Sequence, residues 1–248
     1  MASISRRTLL TLAGQAVLAT VAAPVVHAAA GTPLFHGSRD MPLIALTIDD
    51  DWSAPRVATI FDTLQRASVA ATFFPYANAT RSDPGLWRAI TAAGYPYANH
   101  TRSHPLMTQL TPRAQAAEIT EARDILEGMT GSPMLPVFRP PYGAYDAGLM
   151  DVAQASGFPT VLLWDTSDAD TSSGATAAQL VRAAMRGTNG SVLLTHGGPM
   201  LTPLILPTII ALYRDLGFRF VTVPEMLGWA TASPPAPNPV PASRSRAL

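Results

Sequence analysis

Residues 31–230 of this 248-residue chain predict a single α/β domain with about seven parallel strands. Short apolar runs alternate with helical patterns along this region, as expected when crossover helices join parallel strands. The first run, Leu43–Ile48, has little polar alternation, which is typical of a strand covered on both faces. About 200 residues are enough for one domain with a large buried core. These observations fit either a doubly wound sheet or a small barrel.

Each predicted strand is an apolar run bounded by turn residues or helical patterns. In chain order the strands are Leu43–Ile48, Ala70–Tyr76, Tyr95–Asn99, Val137–Arg139, Thr160–Trp164, Val192–Thr195 and Phe218–Val223. Helical patterns span approximately 55–67, 146–156, 176–186 and 204–216, and two further helices begin at Asp83-Pro84 and Thr111-Pro112 and end near Gly94 and Gly131. An Asp or Thr followed by proline is a common helix start, and glycine is a common helix end.

The two ends of the chain differ in composition from the region between them. Residues 1–30 predict an export signal, because Arg6 and Arg7 precede an apolar run and Ala28–Ala30 offers a small-residue cleavage site. The arginine pair favours the twin-arginine route over an ordinary secretory signal. We therefore expect export to the periplasm, cell wall or extracellular space, with no membrane span in the mature protein. Residues 231–248, rich in proline, serine and alanine, predict a disordered tail.

The composition excludes several classes of function. Apolar residues make up 48% of the chain and charged residues 14%, which is typical of a folded globular protein. All 17 basic residues are arginine, and without the four at the ends the remaining 13 face 17 carboxylates, so we expect no nucleic-acid partner. The chain has no cysteine, which excludes disulfides and thiolate nucleophiles. Any metal ion must be held by histidine and carboxylate side chains.

Polar side chains follow five of the seven predicted strands. In chain order these groups are Asp49–Asp51, His100 with His104, Arg139–Tyr142, Asp165 with Asp168, and His196. The carboxyl ends of parallel strands converge on one rim, and α/β proteins build their sites there. The sequence therefore predicts a site at this rim.

Two of these groups together predict a metal site. His100 and His104 are four residues apart, and a single helical turn before Pro105 would bring both imidazoles to one side. Alone the pair is weak evidence, but two histidines with one carboxylate are a common site for Zn²⁺ and similar ions. Asp49–Asp51 supplies the carboxylate, and a divalent cation would offset the repulsion of three adjacent acids. One aspartate can bind the ion while its neighbour acts as a base.

Three further features predict catalytic support. We expect Arg139 to be buried beside the acids, where its planar donors would orient a carboxylate and keep it ionised. The rigid turn 140–143 positions backbone N–H groups as donors to a developing oxyanion. His196, beside two glycines, is a candidate general acid polarised by Asp168, although a lone histidine at a strand end is more often structural.

Five motifs in order make residues 41–230 resemble the polysaccharide deacetylase family, also called carbohydrate esterase family 4 or the NodB homology domain. The motifs are Thr47–Asp50, Asn99–Pro105, Arg139–Gly143, Asp165–Asp168 and Leu194–His196. The resemblance implies a distorted (β/α) barrel that carries a metal-dependent deacetylase site.

The resemblance also implies a role for each residue of the site. Asp50, His100 and His104 would hold a divalent metal, most commonly Zn²⁺, with Co²⁺, Mn²⁺ or Ni²⁺ as alternatives. Asp49 would be the general base on the attacking water, oriented by Arg139.

The remaining implied roles concern the leaving group and the acetyl pocket. His196, tuned by Asp168, would protonate the departing sugar amine. The Tyr142 backbone N–H, together with the metal, would stabilise the oxyanion, and Leu194 would line the pocket for the acetyl methyl group.

Two positions depart from the family pattern. Ala169 stands where the fourth motif normally ends in tryptophan, which removes a wall of the acetyl pocket. Asp51 stands where the first motif is normally followed by glycine, which adds a charge near the metal. Neither change touches a metal ligand, the base or the acid.

These features lead to one main hypothesis and two alternatives. The main hypothesis is a monomeric, exported hydrolase that removes acetyl groups from an N-acetylated glycan such as peptidoglycan or a chitin-like polymer. The first alternative is an O-acetyl esterase acting on acetyl-xylan. The second, motivated by Ala169 and Asp51, is a glycan-binding protein that keeps the barrel and the metal without catalysis.

Overall fold

The computed structural model describes residues 31–229, so the predicted export signal and tail lie outside the described residues. The strands are β1 (Leu43–Asp50), β2 (Thr72–Pro75), β3 (Val137–Phe138), β4 (Thr160–Val161), β5 (Thr166–Ser167), β6 (Ser191–His196) and β7 (Arg219–Val221). The α-helices are α1 (Ala54–Ala67), α2 (Ala77–Thr80), α3 (Pro84–Ala92), α4 (Pro112–Thr130), α5 (Ala147–Ala155), α6 (Ala177–Ala184), α7 (Thr202–Asp215) and α8 (Val223–Met226).

β1 is the central strand of the main sheet, and all its neighbours run parallel to it. β6 pairs along one edge, and β5 lies beyond β6. The other edge is shared, because β7 pairs with Leu43–Ala45 and β2 pairs with Thr47–Asp50. β3 and β4 form a separate parallel pair. The predicted α/β class with parallel strands in a single domain is therefore confirmed.

Single bridges, rather than continuous ladders, extend the sheet toward a barrel. Tyr97 bridges to Phe73 of β2, and Asn99 bridges to Phe138 of β3. The predicted strand Tyr95–Asn99 is thus reduced to two isolated bridges. Pro96 has no N–H to donate, which interrupts a regular ladder at this point. Among the described residues, these ladders and bridges form an open parallel array that does not close into the expected barrel.

β1 is covered on both faces, as its apolar sequence predicted. Ile44, Leu46 and Ile48 lie in the large cluster that also contains the buried faces of the long helices. Leu43 and Ala45 lie in a second, smaller cluster. This two-sided burial fixes the carboxyl end of β1, where the acidic residues begin.

Helix ends follow the sequence signals. The Asp83 carboxylate accepts a hydrogen bond from the Leu86 N–H at 3.0 Å at the start of α3. Gly131 ends α4 in the left-handed region, with φ of 70°. Among residues 31–229, no helix is both long enough and apolar enough to span a bilayer.

Candidate active site

The predicted residues converge at the carboxyl ends of the strands. Asp49 and Asp50 end β1, and His196 ends β6 directly opposite Asp49 in the parallel register. His100 follows the bridge at Asn99, and Arg139 follows β3. Of the five polar groups expected at this rim, only the one containing Asp165 and Asp168 is split, as described below.

Asp50, His100 and His104 form a group that could hold a metal ion. Asp50 Oδ1 lies 3.1 Å from His100 Nε2 and 2.9 Å from His104 Nε2, and the three ligand atoms lie within 4.8 Å of one another. His100 Nδ1 lies 2.7 Å from the Arg139 carbonyl oxygen. Because a carbonyl oxygen only accepts, Nδ1 carries a proton, and Nε2 is the ring nitrogen that faces Asp50. Two imidazoles and a carboxylate match the donor set of a catalytic zinc site.

The charge of Asp50 is stabilised by the same histidines. Burial raises the pKa of the Asp50 carboxyl, but hydrogen bonds and charge from His100 and His104 outweigh burial and lower the pKa well below its usual range. The Asp50 carboxyl group is therefore ionised at neutral pH.

Backbone strain is concentrated at this site. Seven non-glycine residues within 31–229 have positive φ, and only Ser68, which ends α1, lies away from the site. The other six are Asp50, Asp51, Thr101, His104, Tyr142 and Ala169. Left-handed backbone is costly for residues with a Cβ and persists where the surrounding structure holds it in place.

The segment carrying the two histidines is an irregular bend, so the predicted helical turn is wrong. Thr101 and His104 have φ of 72° and 61°, which no α-helical turn allows. The buried carboxylate of Glu118, on α4, holds the bend: it accepts from the N–H groups of Arg102 and Ser103 at 3.1 and 2.9 Å. Sequence reasoning missed Glu118, although a carboxylate on the buried face of α4 was a usable signal.

Arg139 is fully buried and fixes Asp49. Its Nη1 lies 2.5 Å from Asp49 Oδ1, and its Nε donates to the Leu162 carbonyl at 3.0 Å. Burial lowers the pKa of Arg139 and the Asp49 charge opposes that shift, so the guanidinium stays charged. The other oxygen of Asp49, Oδ2, lies 3.9 Å from His100 Nε2. One oxygen of Asp49 is thus held by arginine while the other faces the Asp50–His100–His104 group.

The carboxylate that contacts His196 is Asp170, in place of the predicted Asp168. Asp170 Oδ1 accepts from His196 Nδ1 at 2.6 Å, and Asp170 Oδ2 accepts from the His196 N–H at 2.8 Å. Burial lowers the pKa of His196, but the hydrogen bond and charge of Asp170 outweigh it and raise the pKa to about 9. Ala169, with φ of 59°, turns the chain so that the second acid reaches the imidazole.

Asp168 forms a buried pair with Asp170 through one hydroxyl. Thr195 Oγ1 lies 2.7 Å from Asp168 Oδ2 and 3.1 Å from Asp170 Oδ2. Burial and the charge of Asp170 raise the pKa of Asp168 to about 8. The Thr195 hydroxyl, which donates to Asp168, thus lies between two acids whose charges oppose each other.

Asp165 lies away from the rim. Its carboxylate pairs with Arg39 at 2.6 Å and accepts from the Val192 N–H at 3.0 Å, at the amino end of β6. Asp165 follows β4 by four residues and directly precedes β5, so it lies at the amino end of β5. The contacts of Asp165 hold the turn that contains Arg39 against the amino end of β6.

Asp51, which directly follows β1, is buried. Neither carboxylate oxygen has a partner in the described residues, and the side chain is 1% exposed. Burial raises the pKa of Asp51, and the charges of Asp49 and Asp50 raise it further. A Cβ at Gly197 would overlap the Asp51 carboxylate, so glycine is needed opposite it.

The two predicted substrate residues lie close to these groups. Tyr142 is 67% exposed, and the centroid of its ring lies 4.7 Å from that of the His104 ring. Leu194 is buried in β6, and its carbonyl accepts from the Asp168 N–H at 3.2 Å. The oxyanion role of Tyr142 and the methyl-pocket role of Leu194 stay predictions.

A family model and a curated relative that match this chain are both described as deacetylases. The family model described as polysaccharide deacetylase matches residues 36–161. The peptidoglycan-N-acetylglucosamine deacetylase PgdA of Listeria monocytogenes is 30% identical over 187 residues, which cover 75% of this chain and 39% of that protein. The chain thus spans well under half the length of that curated relative.

Solved structures share the fold. A family 4 carbohydrate esterase from Streptomyces lividans, in complex with acetate, is 30% identical with a TM-score of 0.70, covering 79% of this chain and 99% of that one. A family 4 pseudoenzyme from Bacillus anthracis is 22% identical with a TM-score of 0.76, covering 82% of this chain and 72% of that one. The second likeness concerns the fold alone.

Proposed function

The chain belongs to the polysaccharide deacetylase family, and from this premise we propose that it is an exported, metal-dependent hydrolase. Its substrate would be an N-acetylated glycan, peptidoglycan or a chitin-like polymer, from which it removes acetyl groups. The observation that carries the proposal is the grouping, on one rim, of an Asp–His–His trio, an arginine-held aspartate and an aspartate-held histidine.

The proposed metal ligands are Asp50, His100 and His104. Their donor set and mutual distances fit Zn²⁺, and the hydrogen bond from His100 to the Arg139 carbonyl orients one ligand. When bound, the cation supplies Lewis-acid polarisation of the acetyl carbonyl and activation of a water molecule.

Asp49 would act as the general base. A base must be ionised and must face the proton that it takes. The Arg139 guanidinium contacts one oxygen of Asp49 and leaves the other oxygen toward the site. Asp49 would accept a proton from the attacking water while the water oxygen bonds to the acetyl carbon.

His196 would act as the general acid. Its pKa of about 9, set by Asp170 against the effect of burial, keeps the imidazole protonated at neutral pH. As the C–N bond breaks, the imidazolium would donate its proton to the departing sugar nitrogen, so acetate and a free amine are released. The Tyr142 N–H would donate to the oxyanion, and Leu194 would contact the acetyl methyl group.

The similarity to PgdA supports a peptidoglycan substrate and a site of action outside the cytoplasm. The proposed export signal, residues 1–30, agrees with that location. A second candidate within the same chemistry is cleavage of O-acetyl esters such as acetyl-xylan, because the same groups would release acetate from an ester as from an amide.

The test measures acetate released by the zinc-loaded full chain from peptidoglycan fragments and acetylated chitooligosaccharides. We expect Asp49→Asn to lower release by about 100-fold or more while binding zinc normally. Asp62→Asn, which alters an exposed acid on α1, is the matched control and should keep wild-type activity. Equal release by wild type and Asp49→Asn would reject the assigned base.

A comparison of amide and ester substrates separates the two candidates. An alcohol leaves more readily than an amine, so His196→Ala should reduce acetyl-xylan cleavage less than amide cleavage. Glycan binding without turnover on any acetylated polymer, with any of several divalent ions, would instead favour the non-catalytic alternative.

A further inference from the structure

Trp52 is an exposed aromatic residue at the edge of the site. It follows the acidic triplet directly, and 44% of its surface is exposed. Its ring centroid lies 6.5 Å from that of His196, with the planes at 48°. Exposed indole rings offer large, rigid, apolar faces and are common at binding surfaces.

The indole is held in place from one side. A Cβ at Gly198 would overlap the ring atoms of Trp52, so the indole lies directly on the Gly198 backbone. Arg56 of α1 donates to the Gly198 carbonyl, which fixes that turn. Gly197, one residue earlier, makes room for the Asp51 carboxylate in the same way. The position of Trp52 is thus set before any ligand binds, which lowers the entropy cost of binding.

A cavity of about 500 Å³ opens beside the indole. Its lining combines apolar groups of Trp52 and Pro55 with polar groups of Ser53, Ser82 and Asp83. Ser53 makes no capping hydrogen bond to α1, and Asp83 uses Oδ1 for the cap of α3. An apolar wall with a few hydrogen-bonding groups suits a ring that has C–H faces and hydroxyl edges.

From these observations we propose that Trp52 and this cavity form a carbohydrate subsite, which binds the sugar ring next to the one that loses its acetyl group. This proposal rests on the proposed function. His196 must come within about 3 Å of the departing nitrogen to protonate it. The reacting sugar therefore lies against His196, and its neighbour along the glycan extends over Trp52 into the cavity.

The test varies glycan length. The value of kcat/KM for acetate release is measured on acetylated chitooligosaccharides that contain one to five sugars. We expect Trp52→Ala to lower kcat/KM about tenfold on the longer substrates and little on the single sugar. Trp52→Phe should retain most of the activity. The matched control is Phe35→Ala, which removes an aromatic residue that is 39% exposed near the amino end of β6. This variant should leave kcat/KM unchanged on both the long substrates and the single sugar.

A second variant tests the geometry without removing the indole. Gly198→Ala should push the ring aside and reproduce the length-dependent loss. An equal loss on all lengths, or no loss on any, would overturn the subsite.

A binding measurement separates this proposal from the proposed function. Calorimetric titration of the zinc-loaded Asp49→Asn variant with the acetylated pentasaccharide requires no turnover. Binding that weakens about tenfold when Trp52→Ala is added supports the subsite even if no acetate is ever released. Undiminished binding, or no binding of any oligosaccharide, overturns it.

Discussion

Replacing Asp51 with glycine should stabilise the metal-free protein. Both Asp51 carboxylate oxygens are buried and have no hydrogen-bond partner within residues 31–229, and leaving such a group unsatisfied costs about 1–3 kcal/mol. Asp51 also has φ of 59°, which costs a residue with a Cβ about 1–2 kcal/mol. Glycine in turn loses about 0.5–1 kcal/mol through its freer unfolded chain. The expected net gain is about 1–4 kcal/mol.

The pH dependence of this gain gives a sharper test. The pKa of Asp51 is raised by burial and by two neighbouring acids, so the folded state holds its proton more tightly than the unfolded state. Stability of the wild type therefore falls as the pH rises above the ordinary value of 3.8, and the gain from Asp51→Gly should be larger at pH 7 than at pH 4.

Urea denaturation of the metal-free wild type and Asp51→Gly, at pH 4 and at pH 7, measures the gain in the free energy of unfolding. Asp51→Asn, which removes the charge and keeps the side-chain size, should give part of it at pH 7. Asp62→Asn, an exposed acid, should change the free energy of unfolding by less than about 0.5 kcal/mol. A loss of stability in Asp51→Gly, or an identical gain at pH 4 and pH 7, would refute the reasoning.

Three further predictions concern the rest of the site. Asp170→Asn should move the alkaline limb of the pH profile of kcat/KM to lower pH, because the contact that raises the pKa of His196 is lost. Asp168→Asn should move this limb less. Equal shifts in the two variants would contradict the assignment of Asp170 as the partner of His196. Arg139→Leu should lower the free energy of unfolding, measured in urea, by about 3–5 kcal/mol, because the substitution leaves Asp49 buried without its partner. A change of less than about 1 kcal/mol would contradict this prediction. Adding zinc at about 100 times its Kd to the metal-free wild type should raise the free energy of unfolding by about 2.7 kcal/mol in the same assay. No increase would argue against a metal site.

The sequence was most informative where burial and chemistry coincide. The apolar run of β1 predicted a strand covered on both faces, and the acids at its end predicted the rim. His100 and His104 were correctly grouped with Asp50, although their spacing suggested a helical turn that the structure replaces with a strained bend. Spacing identified the partners, while the backbone path between them depends on Glu118, which is distant in sequence.

The errors arise where short-range geometry decides between equivalent residues. Asp168 and Asp170 have the same chemistry, and the left-handed turn at Ala169 determines which one reaches His196. β5 consists of Thr166 and Ser167, which carry no apolar signal and form a strand only because β6 lies beside them. Such outcomes depend on tertiary pairing and are not encoded in a local pattern.

The measurement that tests the central claim most directly is a crystal structure of the zinc-loaded protein with anomalous data collected at the zinc edge. One anomalous peak is expected at about 2.0–2.2 Å from an Asp50 oxygen and from the Nε2 atoms of His100 and His104. A peak bound by other residues, or fully loaded protein with no peak at this trio, would contradict the account.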